Sequence, residues 1–142
     1  MATLNDLDSL SEMVFMLWPE GYTILSLQQE IFQILVNDKA VIFLAKNNYI
    51  DVGFALCQIR YDNVEGTVIT PIGYMEGIFV KEELRALGKG KKLIRACEDW
   101  LRDKNITEIA SDTEILNSAN IQFNLNQGFI EVNRIICFSK RI

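Results

Sequence analysis

The order of elements predicts an α/β or α+β fold on a mixed, partly parallel sheet. Three observations carry this. Apolar residues recur at spacings of three and four in two N-terminal stretches and again after residue 88. Runs rich in β-formers fill the middle of the chain. Beyond them, helix-like and strand-like stretches alternate. The order reads helix, helix, strands, helix, strand, helix, strand.

Leu4, Leu7, Leu10, Val14 and Leu17 give an amphipathic helix from about Asp6 to Leu17, ending before Trp18-Pro19. Ser26 is an N-cap for a second helix from Leu27 to about Val36. Ala40 to Ala45 and Val52 to Arg60 read as strands joined by a turn at Lys46-Asn47-Asn48. After a longer connection, Tyr61 to Pro71, the next strand runs from Ile72 to Val80, where Gly77 signals a bulge or a close backbone approach. Leu93, Ile94, Cys97, Trp100 and Leu101 mark a helix reaching about Asp103. Thr107 to Ser111 is a strand, Asn117 to about Gln127 a helix, and Phe129 to Ser139 a closing strand of alternating apolar residues. No linker, repeat or low-complexity segment interrupts the 142 residues, so a single domain spanning 1–142 is expected.

With 49% hydrophobic and 23% charged residues, the chain is globular. No apolar run has membrane-spanning length, and no basic stretch leads into an apolar one at the N-terminus, which points to the cytoplasm and away from a membrane partner. Cys57, Cys97 and Cys137 are scattered in apolar segments and read as reduced thiols. There is no histidine, which removes the common zinc sites and Ser-His or Cys-His catalysis; no metal is expected. A net charge of −5 and a pI near 4.8 argue against nucleic acid and suit a cationic small molecule.

The chemistry centres on Glu76-Gly77-Ile78-Phe79-Val80 running into Arg85-Ala86-Leu87-Gly88-Lys89-Gly90. A glycine loop entering a helix offers free N–H groups and the positive end of a dipole, a place for phosphate. Lys91 and Lys92 in the first turn oppose that dipole, a cost that an anionic ligand offsets. Neither a Walker A loop nor the three-glycine dinucleotide fingerprint is present. Glu76 is a carboxylate inside a hydrophobic strand, on the face of Tyr74 and Ile78 by strict alternation. It either faces solvent or serves a site, pairing an ammonium and taking a proton. Asp112 closes a strand, as a turn cap or as a ligand group. Trp18 either plugs the space between two helices or covers a sugar ring, and Asn117 is a good N-cap.

Arg85-x-x-Gly88-x-Gly90 resembles the pyrophosphate loop of the GNAT superfamily of acetyl-CoA-dependent N-acetyltransferases. With Leu17-Trp18-Pro19, Tyr61-Asp62-x-Val64-x-Gly66, Pro71, Glu76 to Val80, Ala110-Ser111-Asp112 and Gly128-Phe129, the chain resembles the aminoglycoside 6'-N-acetyltransferases over nearly its whole length. The resemblance implies a mostly antiparallel mixed sheet, splayed at the cofactor site. It implies acetyl-CoA with its pyrophosphate on Arg85, Ala86, Leu87, Gly88, Lys89, Gly90 and Lys91. The pantetheine and thioester would lie on Ile78, Phe79 and Val80, with Asn117 as a further contact. Trp18, Glu76 and Asp112 would meet the aminoglycoside, with Glu76 and Asp112 as the catalytic pair. A homodimer is also implied.

The chain departs from the family pattern at several places. Asn63 stands where a substrate-contacting Tyr is expected, with Tyr61 nearby. Asn133 replaces a substrate-binding Glu, with Glu131 nearby, and Asn124 replaces the Tyr that many GNAT enzymes use as acid. The family's first strand is largely missing: it is shortened, or the start lies elsewhere. The implied function is acetyl transfer to the 6'-amine of an aminoglycoside, conferring resistance. The rivals are a GNAT enzyme for a polyamine or protein N-terminus, and a non-catalytic acyl-CoA or aminoglycoside binder.

Overall fold

The computed structural model describes residues 1–142 and places two helical layers on either side of a four-stranded sheet. Helix α1 (Leu7–Leu17), entered through a 3-10 turn at Leu4–Asp6, and α2 (Ile24–Leu35) cover one face. Strands β1 (Ala40–Asn47), β2 (Ile50–Arg60), β3 (Ile72–Val80) and β4 (Ile109–Ser111) lie in sequence order across the sheet. Helix α3 (Lys89–Arg102) covers the other face, and α4 (Ser118–Asn126) packs beside it through Phe123. The first three strands pair antiparallel, and β3 pairs β4 in parallel, so the sheet is mixed as expected.

Each face has its own core. Leu10, Met13, Val14, Leu27 and Ile31 pack on Ile42, Phe54 and Leu56. Leu93, Ile94, Cys97 and Leu101 pack on Val41, Ala55, Cys57 and Met75. The alternation of β2 between these faces explains why a continuous apolar strand forms here. Phe54 is fully buried, with its ring 6.1 Å from that of Phe79. Phe54→Ala lowers the unfolding free energy by about 3–5 kcal/mol, measurable as a reduced midpoint in urea at unchanged slope.

Local chemistry moves some boundaries. The N-cap of α2 is Thr23, not Ser26: the Thr23 hydroxyl accepts from the Ser26 N–H at 3.1 Å and the Ser26 hydroxyl accepts from the Thr23 N–H at 3.0 Å, a reciprocal cap that starts the helix three residues early. The β1–β2 turn lies at Asn48-Tyr49, with φ of 47° and 68°, the left-handed pair that a two-residue hairpin needs. Residues 1–3 form no strand, although the Ala2 N–H donates to the Ile42 carbonyl at 2.8 Å.

The largest correction concerns the closing strand. Residues 129–142 pair with no strand, and every residue from Ile130 onward is exposed. Phe129 packs against the α3-side core and Asn133 donates to Glu65 Oε1 at 2.7 Å. Ile130, Val132, Ile136 and Phe138 alternate in the sequence and all are exposed, with Val132 resting against Gly66. Alternation makes a segment able to pair; it does not bring that segment to an edge, and the outer edge of β4 stays unpaired.

A candidate active site at the opening of the sheet

The site follows from how β3 leaves β4. The two strands pair only at Gly73, Tyr74 and Met75, opposite Ile109, Ala110 and Ser111. The Ser111 hydroxyl reaches the Met75 carbonyl at 3.5 Å, the last tie between them. From Glu76 to Val80 the β4-facing edge of β3 has no partner strand, so the sheet opens into a V.

A bulge sits at the apex. Opposite β2, Met75 faces Cys57 and Gly77 faces Leu56, which leaves Glu76 as the extra residue. Strict alternation therefore fails here. Glu76 keeps the side of Tyr74, but Ile78 turns to the α3 core with Met75, and Phe79 goes to the α1–α2 core. The bulge aims Glu76 into a cleft of about 550 Å³ between the sheet and α1–α2. Trp18 lies over the bulge: a Cβ on Gly77 would stand 2.5 Å from Cη2 of its ring. Both readings of Gly77 hold at once, a bulge and a close approach.

Glu20, Glu30, Glu76 and Glu114 line the cleft, and no lysine or arginine does. The lining is otherwise mainly apolar. This is a concave site with convergent acid groups, suited to a ligand carrying several cations. Glu20 was legible only as the carboxylate beside Trp18, and Glu30 and Glu114 did not stand out as site residues, because each lies outside the strands, where carboxylates are ordinary.

Glu76 is held by Arg60, whose Nε and Nη2 both donate to Oε1, at 3.0 and 2.6 Å. The same guanidinium lies 3.5 Å from the centre of the Tyr74 ring. Burial, with the Asp112 carboxylate beside the hydroxyl, pushes the Tyr74 phenol up to about 12. Tyr74 therefore remains neutral at any working pH. Asp112 is exposed and stands behind Tyr74 rather than on the cleft wall.

On the far side of the V, the loop expected to take pyrophosphate enters α3. Gly88 is the N-cap of α3 with φ of 73°, and Ala86 is also left-handed at 63°. Arg85 Nε donates to the Val80 carbonyl at 2.9 Å, tying the loop to the end of β3. A Cβ on Gly90 would meet the Phe123 ring at 3.0 Å, so the glycine lets α3 and α4 approach. Lys91 and Lys92 are exposed in the first turn, whereas Lys89 Nζ is turned back to the Lys46 carbonyl at 3.0 Å. Asn117 caps α4, accepting from the Asn120 N–H at 3.0 Å. The open edge of β3, the helix N-terminus and the two free lysines together fit an acyl-CoA: an extended amide arm beside a strand edge and a pyrophosphate at a helix start.

Other expected residues lie apart from the cleft. Tyr61 is exposed, with Lys39 Nζ 4.9 Å from the centre of its ring. Asn63 is exposed on the β2–β3 connection, and Asn133 sits on Glu65. Cys57 and Cys97 are buried side by side, and the contact with Cys57, together with burial, pushes the Cys97 thiol up, so neither is a ready nucleophile.

Comparison with known proteins agrees with this geometry. The model of the acetyltransferase (GNAT) family matches residues 7–129. An aminoglycoside N(6')-acetyltransferase type 1 of Serratia marcescens is 30% identical over 139 residues, covering 97% of this chain and 94% of the relative. One of Salmonella typhimurium is 37% identical over 109 residues, covering 77% and 75%. The solved structure of AAC(6')-Iy with the bisubstrate analogue CoA-S-monomethyl-acetylneamine superposes with a TM-score of 0.93 at 32% identity, covering 99% of this chain and 95% of that one. The apo AAC(6')-IG of Acinetobacter haemolyticus gives 0.92 at 31%, covering 99% and 96%.

Proposed function

We infer that this chain, which belongs to the acetyltransferase (GNAT) family, acts as an aminoglycoside 6'-N-acetyltransferase, the whole of residues 1–142 serving as one catalytic domain. The observation that carries this reading is the four-carboxylate cleft meeting the open edge of β3 at Glu76. Acetyl-CoA supplies a thioester; the 6'-nitrogen bonds to its carbonyl carbon, the C–S bond breaks, and CoA leaves as the thiol or thiolate.

The chain's own residues do the rest. Ile78, Phe79 and Val80 lie on the open strand, where the N–H groups of Ile78 and Val80 point away from β2 and can hold the pantetheine arm and favour negative charge on the carbonyl oxygen. Arg85, Ala86, Leu87, Gly88, Lys89, Gly90 and Lys91 form the pyrophosphate site at the start of α3, Lys89 through its backbone, and Asn117 borders it from α4. Trp18 covers the aminoglycoside ring. Glu76 pairs with the reacting ammonium and accepts its proton, directly or through water, and Asp112 holds a second amine. Tyr61, Asn63 and Asn133 are outer substrate contacts. The acidic cleft and the net charge of −5 favour a cationic small molecule over nucleic acid. We place the enzyme in the cytoplasm, where acetyl-CoA is available; no helix is long and apolar enough to cross a membrane.

The same reading makes the enzyme a homodimer, supported by the C-terminal segment. Its exposed alternating apolar residues and unpaired backbone are what an edge strand presents to another chain. Asn133 lies on this segment, so its reach to substrate depends on where the segment rests in the assembly. Sedimentation is expected to give a dimer for the full chain and a monomer for residues 1–128. A monomeric full chain overturns the dimer alone.

The deciding experiment is thiol release from acetyl-CoA with purified protein, comparing kanamycin or tobramycin with the analogue that carries a 6'-hydroxyl. Release with the amine form only is the expected result. Release with spermidine or peptides instead would give the chain to another amine. Tight acetyl-CoA binding with no release from any amine would make it a binder.

A further inference from the structure

Both Arg60 donors go to one oxygen of Glu76. A guanidinium usually meets a carboxylate as a fork, one N–H to each oxygen. Here Nε and Nη2 converge on Oε1, and Oε2 receives neither. The pair is half-buried, its side chains 32% and 22% exposed. The Arg60 position is itself determined from two sides. β2 places it diagonally across from Tyr74, since Gln58 is the direct partner of Tyr74. The ring of Tyr74, only 7% exposed, carries the guanidinium on its face. Asp112 stands at the hydroxyl end of that ring. One cation, one ring and the Glu76 carboxylate thus form a single chain of contacts across β2 and β3, with Asp112 near the far end of the ring.

The placement runs against simple attraction. A cleft lined by four carboxylates and no cation favours ammonium groups, yet one carboxylate is partly neutralised by a resident arginine at its back. That weakens the pull of Glu76 on a substrate ammonium, so binding strength alone does not account for Arg60.

We propose that Arg60 is a positioning residue that fixes Glu76 by one oxygen and leaves the other aimed at the reacting amine, giving up ground-state attraction for alignment. Tyr74 backs the arrangement by carrying the guanidinium on its ring face. The proposal rests on the acetyltransferase reading above and adds a residue that neither periodicity nor the loop motif singles out.

The kinetic signature is a split. Arg60→Met removes the paired donors and the charge but keeps an apolar stem on Tyr74. Its kcat falls about tenfold to a hundredfold as alignment is lost, while KM for the aminoglycoside stays level or falls because Glu76 is freed. Arg60→Lys restores the charge without the planar pair of donors, so KM returns to the wild-type value and kcat recovers only in part. Tyr74→Phe keeps the stacking face and loses the hydroxyl, giving a smaller fall in kcat. KM for acetyl-CoA is unchanged in all three. A residue that only braces the fold would raise both KM values and restore nothing with lysine. If Arg60→Met does not fold, Arg60→Lys decides: wild-type kcat there overturns the proposal, as does a rise in KM at unchanged kcat in either variant. A separate measurement needs no substrate. The Arg60 Nε–H resonance is expected to exchange slowly with water in the wild type and fast in Glu76→Ala, which removes its acceptor. Fast exchange in the wild type overturns the positioning role even in an active enzyme, whereas slow exchange in a protein that acetylates no aminoglycoside would count against the function only.

Discussion

Replacing Glu76 by alanine lowers kcat/KM for a 6'-amino aminoglycoside by about 10²- to 10³-fold, with acetyl-CoA affinity unchanged. Glu76 is the residue that the bulge turns into the cleft at the point where β3 loses its β4 partner. It therefore lies two residues before the outward-facing N–H of Ile78, at the start of the open edge. A nitrogen bound there as an ammonium cannot attack until a proton is removed. Truncation removes both the partner for that charge and the acceptor for that proton. It also strands Arg60, which loses both hydrogen bonds to Oε1 and becomes an unpaired cation beside the cleft. Part of the loss thus comes from a repulsion that the variant creates, and Glu76→Gln, which keeps an oxygen for Arg60, recovers part of the binding but little of the turnover. Asp112→Ala acts in the same direction and by less, because Asp112 lies behind Tyr74. Wild-type turnover in both alanine variants would remove the function assigned here. Calorimetry with acetyl-CoA checks that the cofactor side survives.

The fold was legible wherever one local rule decided it. β3 was read to its end residues, because its apolar run is closed by Pro71 before and by charged residues after. α3 was legible from its apolar stripe and the glycine loop ahead of it. The start of α2 was misread because Ser26 and Thr23 are both good caps, and only the reciprocal bonds of the folded pair choose between them. The face of Ile78 was misread because one bulged residue reverses everything after it. The C-terminal strand failed for a different reason: pairing needs an edge, and an edge belongs to another segment. At the site, Glu76 and Gly77 stood out as exceptions to strand rules. Arg60 and Tyr74 did not, since a terminal arginine and a strand tyrosine break no rule, and their role comes from a diagonal across two neighbouring strands that only the register fixes.

Gly77→Ala raises KM for the aminoglycoside by about 5- to 150-fold and leaves KM for acetyl-CoA within twofold, the size of effect that about 1–3 kcal/mol of overpacking gives when it falls on a substrate contact. The added methyl would stand 2.5 Å from Cη2 and 3.0 Å from Cζ2 of Trp18, closer than atoms can remain. The strand is held by β2 on one side and by both cores, so the ring gives way rather than the backbone. Trp18 lies at the C-terminal end of α1, followed by Pro19 and not locked in a helix, and it is already 38% exposed, which leaves it room to swing out. Once out, it no longer covers the cleft that Glu76 faces. The mechanism is open to a double-mutant cycle. Trp18→Ala alone should raise KM by a similar factor, and adding Gly77→Ala to it should change little, because the methyl then meets no ring. Additive losses would place the Gly77 effect in the bulge itself, acting on the aim of Glu76, and kcat would then fall along with binding. A rise confined to KM that disappears in the Trp18→Ala background assigns binding of the sugar to the tryptophan and chemistry to the carboxylate beneath it.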